Sequence, residues 1–457
     1  MDFPLICAVA TPEGVGGISI IRLSGKGSWE MAKKIFRPHS PFDWEQARGF
    51  GLHYGHIVYE EKVYDEVLLA LMKENRSYTR EDMAELQCHG GFLAAKRILE
   101  LLISLGVQLA QPGEFTKRAF FNGRIDLSQA EAVIETIHAM DERDLDFSVT
   151  RLKGDKGRSF LKIRDDLVAL IAETEAVIDF PEDGLDDTVA ETIHRRVLAM
   201  AEAIDQEIAK AEEGKVYRQG IATALAGKTN VGKSSLMNAL LKEERAIVTE
   251  IPGTTRDVIE DTVILKGIPL RLMDTAGIRD TDDPVEKIGV DKSRASLKRA
   301  DLILFVTDHN GVFDQEEAAI LRGCGNKKII VVCNKDDIVD YDRKAMERAA
   351  KPHPVVFLSA KENRHLDALG EAVHTLFISG VISADNSEWV GNLRHKEAFL
   401  RAKGHLNEVL KAQEMKMPLD FQVIDLRGAL EALGEINGES ISMEVLDRIF
   451  SEFCIGK

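Results

Sequence analysis

The residues best suited to chemistry in this sequence begin with GKTNVGKS at positions 227–234, which fits the phosphate-loop pattern G-x-x-x-x-G-K-[ST]. Gly227 and Gly232 allow backbone N–H groups to wrap around phosphates, an arrangement that a helix N-terminus also favours. Lys233 would reach the β- and γ-phosphates, and Ser234 would ligate magnesium. The loop therefore predicts a nucleotide site but leaves the base open. The residues predicted to bind nucleotide here are Asn230, Val231, Gly232, Lys233, Ser234 and Ser235.

Two further motifs predict a sensor for the γ-phosphate. In DTAG at 274–277, Asp274 would hold magnesium directly or through water, and the Gly277 amide would contact the γ-phosphate. In TTRD at 254–257, the Thr255 hydroxyl would complete the magnesium shell only while that phosphate is present, which makes the loop a switch. The residues predicted to surround the nucleotide here are Thr249, Glu250, Ile251, Pro252, Gly253, Thr254, Thr255, Asp274, Thr275, Ala276 and Gly277.

The remaining motifs predict which base is bound. In NKDD at 334–337, the Asp337 carboxylate would accept hydrogen bonds from the N1–H and 2-amino groups of guanine, a donor pair that adenine lacks. Ser359, Ala360 and Lys361 follow another strand-like run and would offer backbone N–H to the guanine O6. The predicted base-binding residues are Asn334, Lys335, Asp336, Asp337, Ser359, Ala360 and Lys361. Four motifs in this order, each at a strand end, predict GTP as the nucleotide.

The catalytic group cannot be the usual one. Ras-like proteins place a water-orienting glutamine directly after the DxxG glycine, and this chain has Ile278 there. The acidic residues of the following loop remain as candidates, and they are Asp280, Asp282, Asp283 and Glu286. The Asn230 side chain would either bind a monovalent cation beside the phosphates or cap the loop, and the residues alone leave both open.

Composition limits the class of protein. A formal net charge of −17 argues against a protein that coats nucleic acid indiscriminately. The basic stretch from Arg151 to Arg164 predicts a solvated helix face. Five dispersed cysteines without metal-ligand spacing are typical of reduced thiols in a cytosolic protein. We find no signal peptide and no apolar run of about eighteen residues that would span a membrane.

The elements that must position these residues show three textures. Residues 1–118 mix strand-like runs such as GISIIRLSG and AELQCHGG with the helical FLAAKRILELLISLG, which is an α+β pattern. Residues 119–214 and 381–457 carry helical periodicity and are expected to pack as one helical domain. Residues 215–380 alternate strands with helices, which predicts an inserted, mainly parallel α/β lobe. The fold class is therefore multidomain α/β and α+β.

Motifs outside the nucleotide site resemble the tRNA modification GTPase family MnmE, also called TrmE, over essentially the whole chain. They are ATPEGVGGISIIRLSG, SYTREDMAELQCHGG, PGEFTKRAFFNGRIDLSQAEA, VIDFPED and the terminal IFSEFCIGK. The resemblance implies an N-terminal domain that binds tetrahydrofolate and dimerises, then a helical domain interrupted by a Ras-like GTPase domain. It also implies a homodimer that works with an FAD-binding partner, MnmG, in a heterotetramer-type complex.

The same resemblance implies a function in which a folate derivative supplies one carbon for an aminomethyl-type group on the wobble uridine of certain tRNAs. GTP hydrolysis would depend on potassium held by Asn230, Thr249, Ile251 and Thr254, with Ser234 and Thr255 on magnesium and Glu286 acting on the attacking water. The implied folate residues are Arg22, Glu85, Arg124 and Lys457. Arg124 stands where some members have lysine, which changes the hydrogen-bonding fork.

Other interpretations compete with these. Without the resemblance, Arg22 and Glu85 are better explained as surface charges on strands, and Cys454 as a small buried apolar residue rather than a reactive thiol. His89 has no sequence partner that indicates a metal site or a triad. A regulatory GTPase, such as a ribosome-assembly switch, would have the same nucleotide motifs. A third possibility is that the flanking domains serve only as a dimerisation scaffold.

Overall fold

The structure is a computed structural model that describes residues 3–12, 14–45, 47, 49–154, 157–179, 186–243, 261–273, 297–311, 313–325, 327–378, 380, 382 and 390–457. Contacts divide the chain into two compact units. The first contains Met1–Ile134, Leu152–Gly154 and Glu431–Lys457, and the second contains Glu135–Arg151 and Asp155–Leu430. The domain boundaries expected from the sequence, at 118, 214 and 380, stay predictions.

The described N-terminal part of the chain contains seven strands and four α-helices, and all of them except residues 135–138 lie in the first unit. They are β1 (Ile6–Val9), β2 (Ile18–Ser24), α1 (Ser28–Ile35), β3 (Phe36–Pro38), β4 (Gly51–Tyr59), β5 (Lys62–Met72), β6 (Met83–His89), α2 (Phe92–Ser104), β7 (Gln108–Leu109), α3 (Glu114–Phe121) and α4 (Leu127–His138). The strand-like runs quoted from the sequence correspond to β2 and β6, and the helical run to α2.

The seven strands form one sheet in the order β3-β4-β5-β6-β2-β1-β7. Pairing is antiparallel except between β1 and β7. Because side chains alternate across a strand, Ile21 and Leu23 point into a core that also contains Ile98 and Leu102 of α2, while Arg22 between them lies on the other face. The register of β2 with β6 sets Arg22 directly opposite Glu85.

The chain then continues through the second unit, and its last helix lies in the first. The elements are α5 (Glu142–Leu152), α6 (Arg158–Asp179), α7 (Asp186–Gln219), β8 (Ile221–Ala226), α8 (Lys233–Glu243), β9 (Asp261–Leu265), β10 (Ile268–Leu272), β11 (Leu302–Thr307), α9 (Gln315–Gly323), β12 (Lys328–Cys333), α10 (Arg343–Ala350), β13 (Val355–Phe357), α11 (Leu366–Phe377), α12 (Leu393–Glu414), α13 (Leu419–Asn437) and α14 (Met443–Ser451).

The sheet of the second unit has the order β13-β12-β11-β8-β10-β9. All neighbours pair in parallel except β9 with β10, so the expectation of a mainly parallel α/β lobe is confirmed. Strand β11 is buried at every residue, as expected of a strand covered by helices on both faces. The carboxyl ends of β8 and β12 lead into the phosphate loop and the NKDD motif, so the sheet gathers both at one edge.

The helices of the second unit correct one expectation from charge. Arg151, at the end of α5, was expected on a solvated face, but it is buried and forms an ion pair with Glu135. Burial of a guanidinium is tolerated because the carboxylate compensates its charge. Helices α6 and α12 pack along α7. Within the described ranges, no helix combines the length and the apolar character needed to cross a membrane.

Candidate functional site

The phosphate loop joins β8 to α8, and its glycines are required by shape. Gly227 has φ +137° and Gly232 has φ +96°, in the region that L side chains rarely adopt. A Cβ at Gly227 would lie 2.1 Å from the carbonyl oxygen of Val306, and one at Gly232 would lie 2.1 Å from Nδ2 of Asn334. Any side chain at either position would therefore push the loop away from its neighbours.

Two lysines of the loop contact oxygen atoms close by. Lys233 Nζ donates to the carbonyl oxygen of Gly227 at 2.8 Å and to that of Lys228. Burial lowers the pKa of Lys233 below its ordinary value, so an arriving phosphate would supply the opposite charge that this ammonium lacks. Lys228 pairs with Asp314, the N-cap of α9. Ser234 and Ser235 are exposed in the first turn of α8.

Asn334 connects the phosphate loop to the SAK segment. Its side chain is 2% exposed, its Nδ2 donates to Val231 O at 2.9 Å, and its Oδ1 accepts from the backbone N–H of Ala360 at 3.0 Å. Lys335 adds a second contact, from Nζ to Asn230 O at 3.0 Å, and also pairs with Asp308. Three of the predicted motifs are thus held together by direct hydrogen bonds.

The two aspartates of NKDD have different surroundings. The Asp336 carboxylate is paired with Arg343 at 3.2 Å and lies 3.6 Å from His365. Asp337 instead accepts a hydrogen bond from Ser359, which is the largest cause of a pKa below the ordinary carboxyl value. Asp337 therefore remains ionised at neutral pH and can act as a pure acceptor. This is the charge state that recognition of two N–H donors requires.

The remaining predicted residues of the nucleotide site lie outside the described residues. They are Thr249, Glu250, Ile251, Pro252, Gly253, Thr254, Thr255, Asp274, Thr275, Ala276, Gly277 and Glu286. Of the four residues assigned to potassium, Asn230 is described. Asn230 is exposed and has φ +64°, which asparagine tolerates better than most residues. Ser234 is the described member of the magnesium pair.

The folate residues form a second cluster, in the first unit. Arg22 Nε donates to Glu85 Oε1 at 2.9 Å, and each side chain is 17% exposed. Arg22 Nη1 also donates to Gly456 O at 3.0 Å, although 434 positions separate the two residues. A Cβ at Gly456 would lie 2.5 Å from Val9 O, so the terminal CIGK segment lies closely against the end of β1. Arg22 and Glu85 are therefore a half-buried pair rather than surface charges.

Tyr78 belongs to this cluster, and the sequence reasoning missed it. The guanidinium carbons of Arg124 and Arg22 lie 4.7 Å and 5.9 Å from the centre of its ring. Its hydroxyl is 3.0 Å from Thr116 Oγ1, and burial raises its pKa. Burial and the nearby charge of Arg22 lower the pKa of Lys457. The sequence signal that could have identified Tyr78 is its position inside SYTREDMAELQ, seven residues before Glu85.

Two other residues differ from their expected settings. Cys454 is exposed, so the expectation of a small buried apolar residue is wrong for it. His89 has a partner that spacing did not indicate, because Asp65 Oδ1 lies 2.8 Å from its Nδ1 and raises its pKa. In the described part of the chain, no group of three or more His, Cys, Asp or Glu side chains is placed to hold a metal ion.

Two family models together, and individual relatives, match this chain over nearly its whole length. A family model described as the MnmE helical domain matches residues 127–454, and one described as the GTP-binding protein TrmE N-terminus matches residues 5–124. The tRNA modification GTPase MnmE of Thermoanaerobacter pseudethanolicus is 45% identical, with all of both chains covered. That of Clostridioides difficile is 43% identical, with 99% of each covered. The G domain of the T. maritima FeoB iron transporter is 29% identical at a TM-score of 0.25, covering 34% of this chain and 96% of its own.

Proposed function

Because this chain belongs to the MnmE family of tRNA modification GTPases, we propose that it uses GTP hydrolysis to drive the modification of a tRNA wobble uridine. It is a GTP hydrolase that acts in tRNA modification. The observation that carries the proposal for the nucleotide site is the position of Asn334, which hydrogen-bonds both Val231 of the phosphate loop and Ala360 of the SAK segment. That contact brings the residues predicted to bind phosphate and base to one edge of a mainly parallel sheet.

GTP would be held by the predicted residues of the four motifs. Ser234 and Thr255 would ligate magnesium, and Asn230, Thr249, Ile251 and Thr254 would hold potassium. Magnesium and potassium supply positive charge where negative charge grows on the transferred phosphoryl group. Glu286, which matches the position of the family's catalytic glutamate, would act on the attacking water in place of the glutamine that Ile278 replaces. The exposed side chain of Asn230, within the phosphate loop, supports the potassium assignment.

A tetrahydrofolate derivative would bind at Arg22, Glu85, Arg124 and Lys457. The carboxylate of Glu85 suits the donor edge of a pterin, and the cations suit the glutamate carboxylates of a folate. The Arg22–Glu85 pair and the contact from Arg22 to Gly456 support this, because they bring residues from β2, β6 and the C-terminus together. We further propose a homodimer that works with the FAD-binding protein MnmG on tRNA in the cytoplasm.

The test is wobble-uridine analysis by mass spectrometry of tRNA from a strain that lacks the chain. Complementation with the wild-type chain should restore the modified nucleoside. Lys233→Ala should fail through lost GTP binding, and Arg22→Ala should fail while hydrolysing GTP normally.

The rival is a regulatory GTPase without modification chemistry. It predicts that Arg22→Ala complements fully and that the purified chain binds no reduced folate. Normal tRNA modification in the deleted strain would contradict the proposed function outright. Calorimetry of reduced-folate binding to the purified wild-type chain distinguishes the two hypotheses even if the deletion strain grows poorly.

A further inference from the structure

The two crossings of the chain between the helices and the nucleotide-binding sheet lie side by side in the second unit. The chain enters the sheet from the end of α7 through Gly220 into β8, and it enters α12 through Val390, Gly391 and Asn392. Arg218, in the last turn of α7, donates a hydrogen bond from Nη2 to the carbonyl oxygen of Gly391. The segment that leads into the sheet and the segment that leads back to the helices are therefore joined by a hydrogen bond.

A glycine makes this approach possible. A Cβ at Gly214 would lie 2.4 Å from Cγ1 of Val390, closer than real Cβ contacts come. Val390 has no exposed surface, so it has nowhere to move without opening the contact. Glycine is disfavoured within a helix, and Gly214 lies within α7, in the second turn from its C-terminal end. The close contact with Val390 gives a physical reason for a glycine at this position.

The same end of α7 touches the strand that leads to DTAG. Tyr217 is 1% exposed and belongs to one core cluster with Val390 and with Leu270 and Leu272 of β10. Asp274 follows β10 by two residues.

Helices α5 and α4 also contact the two crossings, through Arg143 and Glu135. Arg143 Nη1 donates to the Tyr217 hydroxyl at 2.9 Å, with its guanidinium carbon 4.4 Å from the ring centre. Asn392, the N-cap of α12, donates from Nδ2 to Glu135 Oε1 at 3.2 Å.

We propose that Gly214, Arg218 and Val390, together called the crossing clamp, are positioning residues that couple GTP hydrolysis to tRNA modification. A shift of β10 as the γ-phosphate is lost would press on Tyr217 at the end of α7. Because the clamp ties α7 to the start of α12, both long helices must respond together. Without the clamp, GTP hydrolysis would proceed, but the resulting shift of β10 would not reach α12. The inference rests on the proposed function and adds to it the route by which the two activities are joined.

The experiment uses Gly214→Ala, Val390→Ala and the double variant of the full chain. In Gly214→Ala the new methyl group forces the crossings apart. GTP affinity and turnover should stay within about twofold of wild type, while the rate of wobble-uridine modification falls about tenfold or more. The double variant should recover part of the modification rate, because removal of Val390 Cγ1 relieves the 2.4 Å contact and leaves only the Arg218 Nη2 and Nη1 atoms, at 3.1 and 3.2 Å, for the added methyl group to displace. Gly404→Ala in α12 is the matched control, since a Cβ there meets nothing within 4 Å.

Modification by Gly214→Ala at the wild-type rate would overturn the proposal. So would an equal loss of hydrolysis and modification, or a double variant that stays uncoupled. Should Gly214→Ala not fold, as judged by circular dichroism, Arg218→Met replaces it and must show the same split between hydrolysis and modification. A wild-type chain that hydrolyses GTP without modifying tRNA would instead contradict the proposed function itself.

Discussion

The side-chain amide of Asn334 donates a hydrogen bond to the carbonyl oxygen of Val231 at 2.9 Å, and it does so from a position that is 2% exposed. A residue of the NKDD motif thereby fixes the phosphate loop more than 100 positions earlier in the chain. The phosphate loop is thus held in shape by a residue of the predicted base-binding motif, in addition to the sheet.

Asn334→Ala should weaken GTP binding by about 10- to 100-fold, because it removes two buried hydrogen bonds and leaves Val231 O and Ala360 N unpaired. Equilibrium titration with a fluorescent GTP analogue measures the effect. Asn310→Ala is the matched control, since Asn310 also bonds through both ends of its amide but is exposed. Equal losses in the two variants would contradict the special role of Asn334.

Asp337→Asn should shift base preference from guanine toward xanthine. The amide presents a donor where the carboxylate accepted one, and xanthine presents a carbonyl oxygen where guanine has its amino group. Competition between GTP and XTP for the purified chain gives the ratio of affinities. Asp336→Asn should keep the guanine preference, because the Asp336 carboxylate is engaged by Arg343. A reversal in Asp336→Asn instead would show that the base lies elsewhere.

Replacing potassium by sodium should slow GTP turnover by about tenfold or more, because a correctly placed charge at the phosphates is lost. Steady-state phosphate release at constant ionic strength measures the rates. Asn230→Ala should turn over GTP at the sodium rate in either salt. Identical wild-type rates in the two salts would refute the potassium assignment.

Tyr78→Ala should weaken binding of a reduced folate by about 3- to 30-fold, since the ring that Arg22 and Arg124 stack against is removed. Tyr78→Phe keeps the ring, loses the hydroxyl contact with Thr116, and should bind nearly as well as wild type. Calorimetry with the full chain tests both, and GTP affinity reports whether the variants are folded. Wild-type folate affinity in Tyr78→Ala would place the ligand away from this cluster.

Asp144 should make stability fall as pH rises from about 4 to about 6. Burial raises the pKa of its carboxyl from 3.8 to about 6, so the folded state favours the neutral acid. The contribution of Asp144 to the free energy of unfolding is therefore fully present below the ordinary pKa and is lost as pH rises through the folded pKa. The loss amounts to about 3 kcal/mol.

Asp144→Asn removes this titration and should gain in melting temperature over wild type at pH 7.5 but not at pH 4. Differential scanning calorimetry at the two pH values gives the comparison. Asp146→Asn, which changes a less buried carboxylate of the same helix, is the control. A constant difference between Asp144→Asn and wild type across pH would show that Asp144 titrates normally.

Much of the architecture was readable from local pattern. Strand β11 is a continuous apolar run and β2 alternates, and these periods reflect burial on two faces and on one. The phosphate loop was equally predictable, because Gly227 and Gly232 are needed for backbone conformations that few other residues adopt. Asp337 was predicted to bind the base from the chemistry of guanine alone, and this stays a prediction. In each case a residue's own type carries the constraint.

Contacts between residues that are far apart in the sequence could not be predicted in this way. Nothing in the sequence indicated that Arg151 would be buried against Glu135 or that Arg218 would reach Gly391. The sequence by itself determined the elements and the motifs at their ends, because those depend on local conformational preference and on the chemistry of single side chains. Only the tertiary structure decided which charges are paired and buried, because desolvation and ion pairing depend on neighbours that the folded chain brings together.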